Sequence, residues 1–199
     1  MEARSDTPDR IAELLIHIGR AARIEDGRSK LTAAQWTCLR FFARANGSTR
    51  TPSAFANFQA TTRGTASQIV KSLESRGLVA RRRSTLDRRS VRFDLTETGR
   101  ALLEHDPLRD VIGVINGLEA GERDRFLATL SRLASAFAGL RAVPAFGTCR
   151  DCSHFTPAGE SGHCACMAAE LSADDIERLC ASFGPARAIG TEGEDHACQ

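Results

Sequence analysis

No apolar run among the 199 residues approaches the roughly 20 that a membrane-spanning helix needs. The first residues carry no apolar stretch followed by a small-residue cleavage site, so a secretory leader is not expected and the chain reads as cytoplasmic. There is no internal repeat and no low-complexity tract. No acid and base groups surround a nucleophile: the five histidines are scattered, and His17 and His105 have no cysteine or acidic cluster beside them. An enzyme is therefore not expected. Large apolar residues become scarce after Gly147, and a segment of about 50 residues with so small a core needs another staple to hold a shape.

What is present is charge, unevenly placed. Residues 1–147 carry 24 Lys and Arg against 16 Asp and Glu, whereas residues 148–199 carry 3 against 9. Within 63–92 nine basic residues face two acidic ones. A solvated charged face would show the same composition, but a basic stripe of that density also suits a polyanion, because each neutralised phosphate releases condensed counterions.

Apolar spacing divides residues 1–147 into elements. Ile11, Leu14, Leu15 and Ile18 predict a helix over about 8–25. Thr32 is a good N-cap for a second helix, with Trp36, Leu39 and Phe42 on its apolar side, ending at Asn46-Gly47. Thr51-Pro52-Ser53 opens a short third helix to about Phe58. Thr61 or Thr62 caps a fourth, which runs to Arg76 with Ile69, Val70 and Leu73 inward and stops at Gly77. Residues 78–83 and 90–95 read as strands joined by the charged turn 84–89. Thr96 caps a long helix to about Asn116, and a last helix covers 119–140. Short helix, turn, second helix and basic hairpin form a winged helix-turn-helix layout. The flanking helices have little core of their own, so their apolar stripes are expected to meet a second copy of the chain.

Four blocks in order make the chain resemble the MarR family of regulators over about residues 11–140. They are Leu31-Thr32-x-x-Gln35, Leu73-Glu74-x-x-Gly77-Leu78-Val79-x-Arg81, Asp87-Arg88-Arg89, and Leu95-Thr96-x-x-Gly99-Arg100. The resemblance implies a homodimer on a near-palindromic double-stranded DNA operator, usually a repressor released by a small ligand or by oxidation. It also implies that an arginine of the Asp-Arg-Arg turn, Arg88 or Arg89, enters the minor groove, where negative potential concentrates. Asp87 would orient one of them, and Arg83 is a further wing contact. The fourth helix is expected in the major groove, offering Thr62, Arg63, Thr65, Ser67, Gln68 and Lys71, with Gln68 suited to adenine and Arg63 to guanine. Gly64 and Ala66 would let the backbone approach the DNA, and Ser72 and Arg76 would be solvated or near phosphate. Phe55-Ala56 stands where family members often have Leu-Ala, a tolerable core change.

Six of the seven cysteines follow Thr148. In a reducing cytosol clustered cysteines are more often metal ligands than disulfides. Cys149 and Cys152 are separated by two residues, Cys164-x-Cys166 follows, and Cys180 comes after a helical stretch over 172–183. Zinc sites often use two such pairs, or cysteine with histidine. The spacing, with Phe155 and Phe183 each three residues after a cysteine, resembles small four-cysteine iron–sulfur modules. The expected ligands are Cys149, Cys152 and Cys180, with Cys164 preferred to Cys166 as the fourth, and the expected group is an iron–sulfur cluster such as [4Fe–4S], or alternatively zinc. Cys198 reads as a spare thiol and Cys38 as a small core residue.

The fold class expected is thus mainly α with a small β-wing: a winged helix-turn-helix dimer over 1–147 and a cysteine-rich metal-binding tail over 148–199. The function expected is a transcription regulator tuned by a cluster that senses redox state, oxygen or iron. The alternative is a ligand-responsive regulator whose tail holds structural zinc. The tail follows the last dimer helix, so its influence is expected to pass through the spacing of the two reading helices.

Overall fold

The structure is a computed structural model that describes residues 7–22, 30–83 and 91–185. The helices of the winged-helix part each begin at a hydroxyl. The Thr32 side chain accepts the Gln35 N–H while the Gln35 carbonyl oxygen accepts the Thr32 N–H, a reciprocal cap that starts α2 (Ala33–Arg44). Thr51 caps α3 (Pro52–Phe58), whose proline occupies a first-turn position where a missing N–H costs nothing. Thr62 caps α4 (Arg63–Ser75). Gly77, at φ +68°, then takes the left-handed conformation that ends the helix and turns the chain into the hairpin.

That hairpin pairs β1 (Val79–Arg83) with β2 (Val91–Leu95) antiparallel, Val79 opposite Leu95 and Arg83 opposite Val91. Period-two alternation puts Phe93 and Leu95 inward. They meet Trp36, Leu39, Phe41 and Phe42 of α2, Phe55 of α3 and Val70 and Leu73 of α4 in one core. Phe41, Phe42, Phe55 and Phe93 touch ring to ring, with centroids 5.6–6.3 Å apart.

The single helix expected from Thr96 to Asn116 is two: α5 (Glu97–Leu103) and α6 (Leu108–Asn116). Pro107 has no N–H to donate and disfavours helical backbone at the residue before it. Asp106 uses the break. It is buried, caps Leu108 N–H at 2.8 Å and pairs with Arg40 of α2 at 2.9 Å. The long helix α7 (Ala120–Leu140) follows. Together with α1 (Thr7–Ala21) it leaves an apolar face open in the single chain: Ile11, Leu14, Leu15 and Ile18 on α1, and Phe126, Leu133 and Phe137 on α7. Among the described residues no helix is long and apolar enough to cross a membrane.

Beyond Gly147 the chain makes a 3-10 turn over Cys149–Asp151 and an antiparallel sheet of β3 (Phe155–Ala158), β4 (Ser161–Cys164) and β5 (Ala169–Leu171). Those strands carry no sequence signal, being short and mostly small or polar. The helix expected over 172–183 is confined to α8 (Ala173–Ile176). After it the backbone turns outward: the N–H groups of Leu179 and Cys180 donate to Arg44 O and Gly147 O, both at 2.9 Å, rather than back along a helix.

The fourth resemblance block gains a physical meaning here. Thr96 Oγ1 donates to Gly77 O at 2.6 Å and accepts the Gly99 N–H at 3.0 Å, so one hydroxyl joins the end of the hairpin turn to the start of α5. A Cβ on Gly99 would fall on the carbonyl oxygen of Leu78. Gly99→Ala is therefore expected to destabilise the protein by about 1–3 kcal/mol, the usual range for overpacking, read as a lower urea midpoint at unchanged slope.

Candidate nucleic-acid interface and cysteine site

Helix α4 separates its residues by side. Ala66, Val70 and Leu73, at spacings of four and three, are buried. Arg63, Gly64, Thr65, Gln68 and Lys71 are exposed, and Ser67 is half-buried. Five of the six α4-region candidates therefore share an open surface with Gly64, beside which a Cβ would meet nothing closer than 3.8 Å. Thr62 is exposed too, but its hydroxyl is engaged: it accepts the Thr65 N–H at 3.1 Å and lies 2.9 Å from the Thr65 hydroxyl. The free side-chain donors on this face are thus the guanidinium of Arg63, the amide of Gln68 and the ammonium of Lys71, which suit base edges and phosphates.

One expectation changes. Ala66 is fully buried in the core and lends nothing to a close approach of DNA. Ser72 is half-buried, and its hydroxyl accepts from Gln35 at 2.8 Å, tying α4 to the first turn of α2. Arg76 donates to Lys30 O at 2.9 Å. In the wing, Arg83 ends β1, while its side chain and the whole of Arg88 and Arg89 lie outside the described residues. Asp94 on β2 is bracketed by Arg50 at 2.7 Å and Arg82 at 2.8 Å, which fixes the hairpin against the corner between α2 and α3.

In the tail, Cys149 stands on the 3-10 turn, Cys152 just after it, Cys164 at the end of β4 and Cys180 in the extended segment after α8. Cys149, Cys164 and Cys180 are buried and Cys152 is half-buried. Antiparallel bridges Gly147–Cys180 and Cys152–Pro185 bring the two ends of the module together. The Cys149 thiol is pushed up to about 11, first by burial and then by the neighbouring Cys180, Cys152 and Cys164 thiolates, so the four lie within electrostatic reach of one another. Burial also raises Cys180, while hydrogen bonds from the Ser182 backbone and the Asn46 side chain pull it back. Amide donors of that kind stabilise and aim a metal-bound sulfur.

Thiols are the donor type that a soft metal or an iron–sulfur group takes. As they stand, no three His, Cys, Asp or Glu side chains among the described residues are drawn together tightly enough to hold one ion. Cys166 stands apart, engaged in a disulfide, which leaves Cys164 as the free thiol of its pair. Phe155 and Phe183 are half-buried, each laid over a glycine: a Cβ on Gly162 would strike the Phe155 ring, and one on Gly147 would come within 2.6 Å of Phe183. Cys38 is wholly inside the winged-helix core, where burial pushes its thiol far up. Cys198 lies outside the described residues. Asn46, Thr49 and Ser182 were not foreseen as parts of the site, because turn residues that bond across the fold leave no pattern in the sequence.

Residues 29–90 match the model of the MarR family. No curated protein sequence matches the chain. Solved structures resemble it over the same part and its flanks. A MarR transcriptional regulator from Methanosarcina mazei Go1 is 19% identical, with 69% of this chain and 99% of that one covered and a TM-score of 0.53. The transcriptional regulator BldR from Sulfolobus solfataricus is 23% identical, covering 68% and 99%, with a TM-score of 0.52. A MarR family protein from Bacillus stearothermophilus is 22% identical, covering 69% and 99%, with a TM-score of 0.50. At these identities the likeness is one of fold. The class they define is a mainly helical winged helix with small antiparallel sheets, of the MarR type, to which this chain adds a cysteine-bearing segment.

Because Gln68 lies on the open side of α4 among the candidate base contacts, Gln68→Ala is expected to lower discrimination between the preferred and a scrambled duplex by about 1–3 kcal/mol, while non-specific binding changes little. A titration showing equal loss on both duplexes would remove Gln68 from base reading.

Proposed function

We propose that the chain is a DNA-binding transcription regulator, a repressor working as a homodimer on a near-palindromic duplex, whose affinity is set by an iron–sulfur cluster on Cys149, Cys152, Cys164 and Cys180. The observation that carries the DNA-binding half is the uncommitted polar side of α4, held out by a buried Ala66, Val70 and Leu73 and followed by a basic hairpin. The match of residues 29–90 to the MarR family supports the same reading. The open apolar faces of α1 and α7 support the dimer, since a second copy would remove them from water.

The metal-binding half rests on the placing of four cysteines, three of them buried, in segments that the Gly147–Cys180 and Cys152–Pro185 bridges draw together. A single zinc ion holds its sulfurs about 2.3 Å away, so a zinc site would need these thiols drawn further inward. A cluster of several atoms reaches sulfurs set wider. When bound, such a cluster supplies a centre whose oxidation or loss alters what holds the four segments together. The chain's own residues do the rest: Ser182 and Asn46 aim Cys180, burial keeps water from Cys149, and the bridges at Gly147 and Cys152 join the ends of the module. The signal reaches DNA only if one geometry of the tail favours one geometry of the reading elements.

Protein purified without air is expected to be brown, with iron and sulfide in the proportions of one cluster per chain, and Cys152→Ser to be colourless yet still able to bind DNA. Operator affinity of the wild type should change on exposure to air and that of Cys152→Ser should not. A colourless wild type with one zinc per chain and the same affinity in air and out of it would replace the sensor by a structural zinc tail.

A further inference from the structure

The segment that carries Cys180 is bridged to the tail at Gly147 and Cys152, but not to the tail alone. It lies against the corner between α2 and α3. Leu179 N–H donates to Arg44 O and Asn46 N–H donates to Leu179 O, both at 2.9 Å, making a parallel bridge between Ala45 and Leu179. Arg178 donates to Ala43 O at 3.3 Å. Ala181 N–H donates to Thr49 Oγ1 at 2.9 Å, and Thr49 is only 2% exposed. Leu179 and Ala181 pack on the winged-helix core itself. Cys180 is thus held on both sides by residues of the DNA-binding part, while Cys149, Cys152 and Cys164 belong to the tail's own turn and sheet.

The corner is built to hold that segment. The Asn46 side-chain oxygen accepts from Thr49 N–H and from the Ser48 hydroxyl, both at 2.9 Å. Its side chain thereby holds the turn in the form that places Thr49 under Ala181. The other side of the same corner carries the wing: Phe93 N–H donates to Arg50 O at 2.9 Å, and the Arg50 guanidinium binds both Ala45 O at 2.9 Å and Asp94 at 2.7 Å. Six residues, 45–50, therefore stand between the cysteine site and β2.

We propose that Thr49 and Asn46 are positioning residues of the cysteine site: they hold Cys180 from the DNA-binding side, so that the fourth thiol is in place only while the 45–50 corner keeps the form that also anchors the wing. This rests on the cysteine site proposed above and replaces the dimer-helix route by one inside a single chain. An unpaired Ala181 N–H would be left behind if the Thr49 hydroxyl were removed, so the segment would release more readily. Coupling of this kind is reciprocal: what the occupied site contributes to the corner, the corner contributes to the occupied site.

The test compares full-length, reduced, chelator-stripped wild type with Thr49→Val, which keeps the volume and loses the hydroxyl, and Thr49→Ser, which keeps the hydroxyl. Iodoacetamide labelling of each cysteine is followed by mass spectrometry. Cys180 is expected to label roughly two- to ten-fold faster in Thr49→Val, the ratio that loss of one hydrogen bond gives, with Cys149, Cys152 and Cys164 unchanged and Thr49→Ser like the wild type. Equal rates at Cys180 in all three proteins, or a rise shared by all four thiols, overturns the proposal. Cys38 labelling reports loss of the core. If Thr49→Val shows it, hydrogen exchange in the wild type decides, with the site stripped or loaded with zinc ion alone and the metal content measured. Slower exchange across 45–50 on loading supports the proposal, and no change there with one zinc bound overturns it. If no metal binds at all, the metal-site reading fails, and the labelling rates of a folded Thr49→Ser and of Asn46→Ala against wild type still decide whether the corner holds Cys180: Asn46→Ala should speed Cys180 alone, and no change overturns the proposal.

Discussion

Contact among the Phe41, Phe42, Phe55 and Phe93 rings sets where everything else in the winged-helix part can stand. Two of these rings come from α2, one from α3 and one from the hairpin, so a single aromatic cluster fixes three elements at once. Rings of this size cannot shift singly without opening a void, and voids in a close-packed interior are costly. Helix α4 is laid against that cluster through Ala66, Val70 and Leu73 and is further tied to α2 by the Gln35–Ser72 bond. The exposed side of α4 is thus presented by a rigid support, and of its residues Thr62, the N-cap, also helps to hold the helix. Phe146, just before the tail, joins the same aromatic group through Phe41 and Phe58, with centroids 6.3 and 5.3 Å away, so the tail starts from the same anchor.

Much of this was legible in the sequence, for local reasons. Threonines at the starts of α2, α3, α4 and α5, the glycine after α4, and spacings of three and four in α2 and α4 all act within one turn of helix. The winged-helix arrangement followed from their order. The break at Pro107 was open to the same kind of reading, since proline excludes a continuous helix from Thr96 to Asn116, but the apolar period of Leu102, Leu103, Ile112 and Ile115 runs across it and masks the stop.

The tail was legible as chemistry and not as shape. Cysteine spacing pointed to a site, whereas β3, β4 and β5 are too short and too polar to announce themselves. The helical reading of 172–183 failed after Ile176 because the backbone there is used for contacts 130 or more residues back in the chain, as from Leu179 to Arg44 and from Ala181 to Thr49. Long-range pairing of that kind overrides local preference and leaves no periodic trace. Thr49 looked like one turn residue among several, and its burial under Ala181 could be seen only in three dimensions.

The bracketing of Asp94 also bears on what a count of positive charges means. Nine basic residues fall within 63–92, yet Arg82 is paired with Asp94. Charges already satisfied inside the chain displace fewer ions from a duplex than charges that arrive unpaired. The slope of affinity against salt is about −0.9 per phosphate neutralised, so it should fall short of what the sequence stripe suggests. On the reading proposed above, such a surface would hold arbitrary polyanions less firmly than its composition implies, and a larger share of its affinity for a duplex would be left to fit and hydrogen bonding.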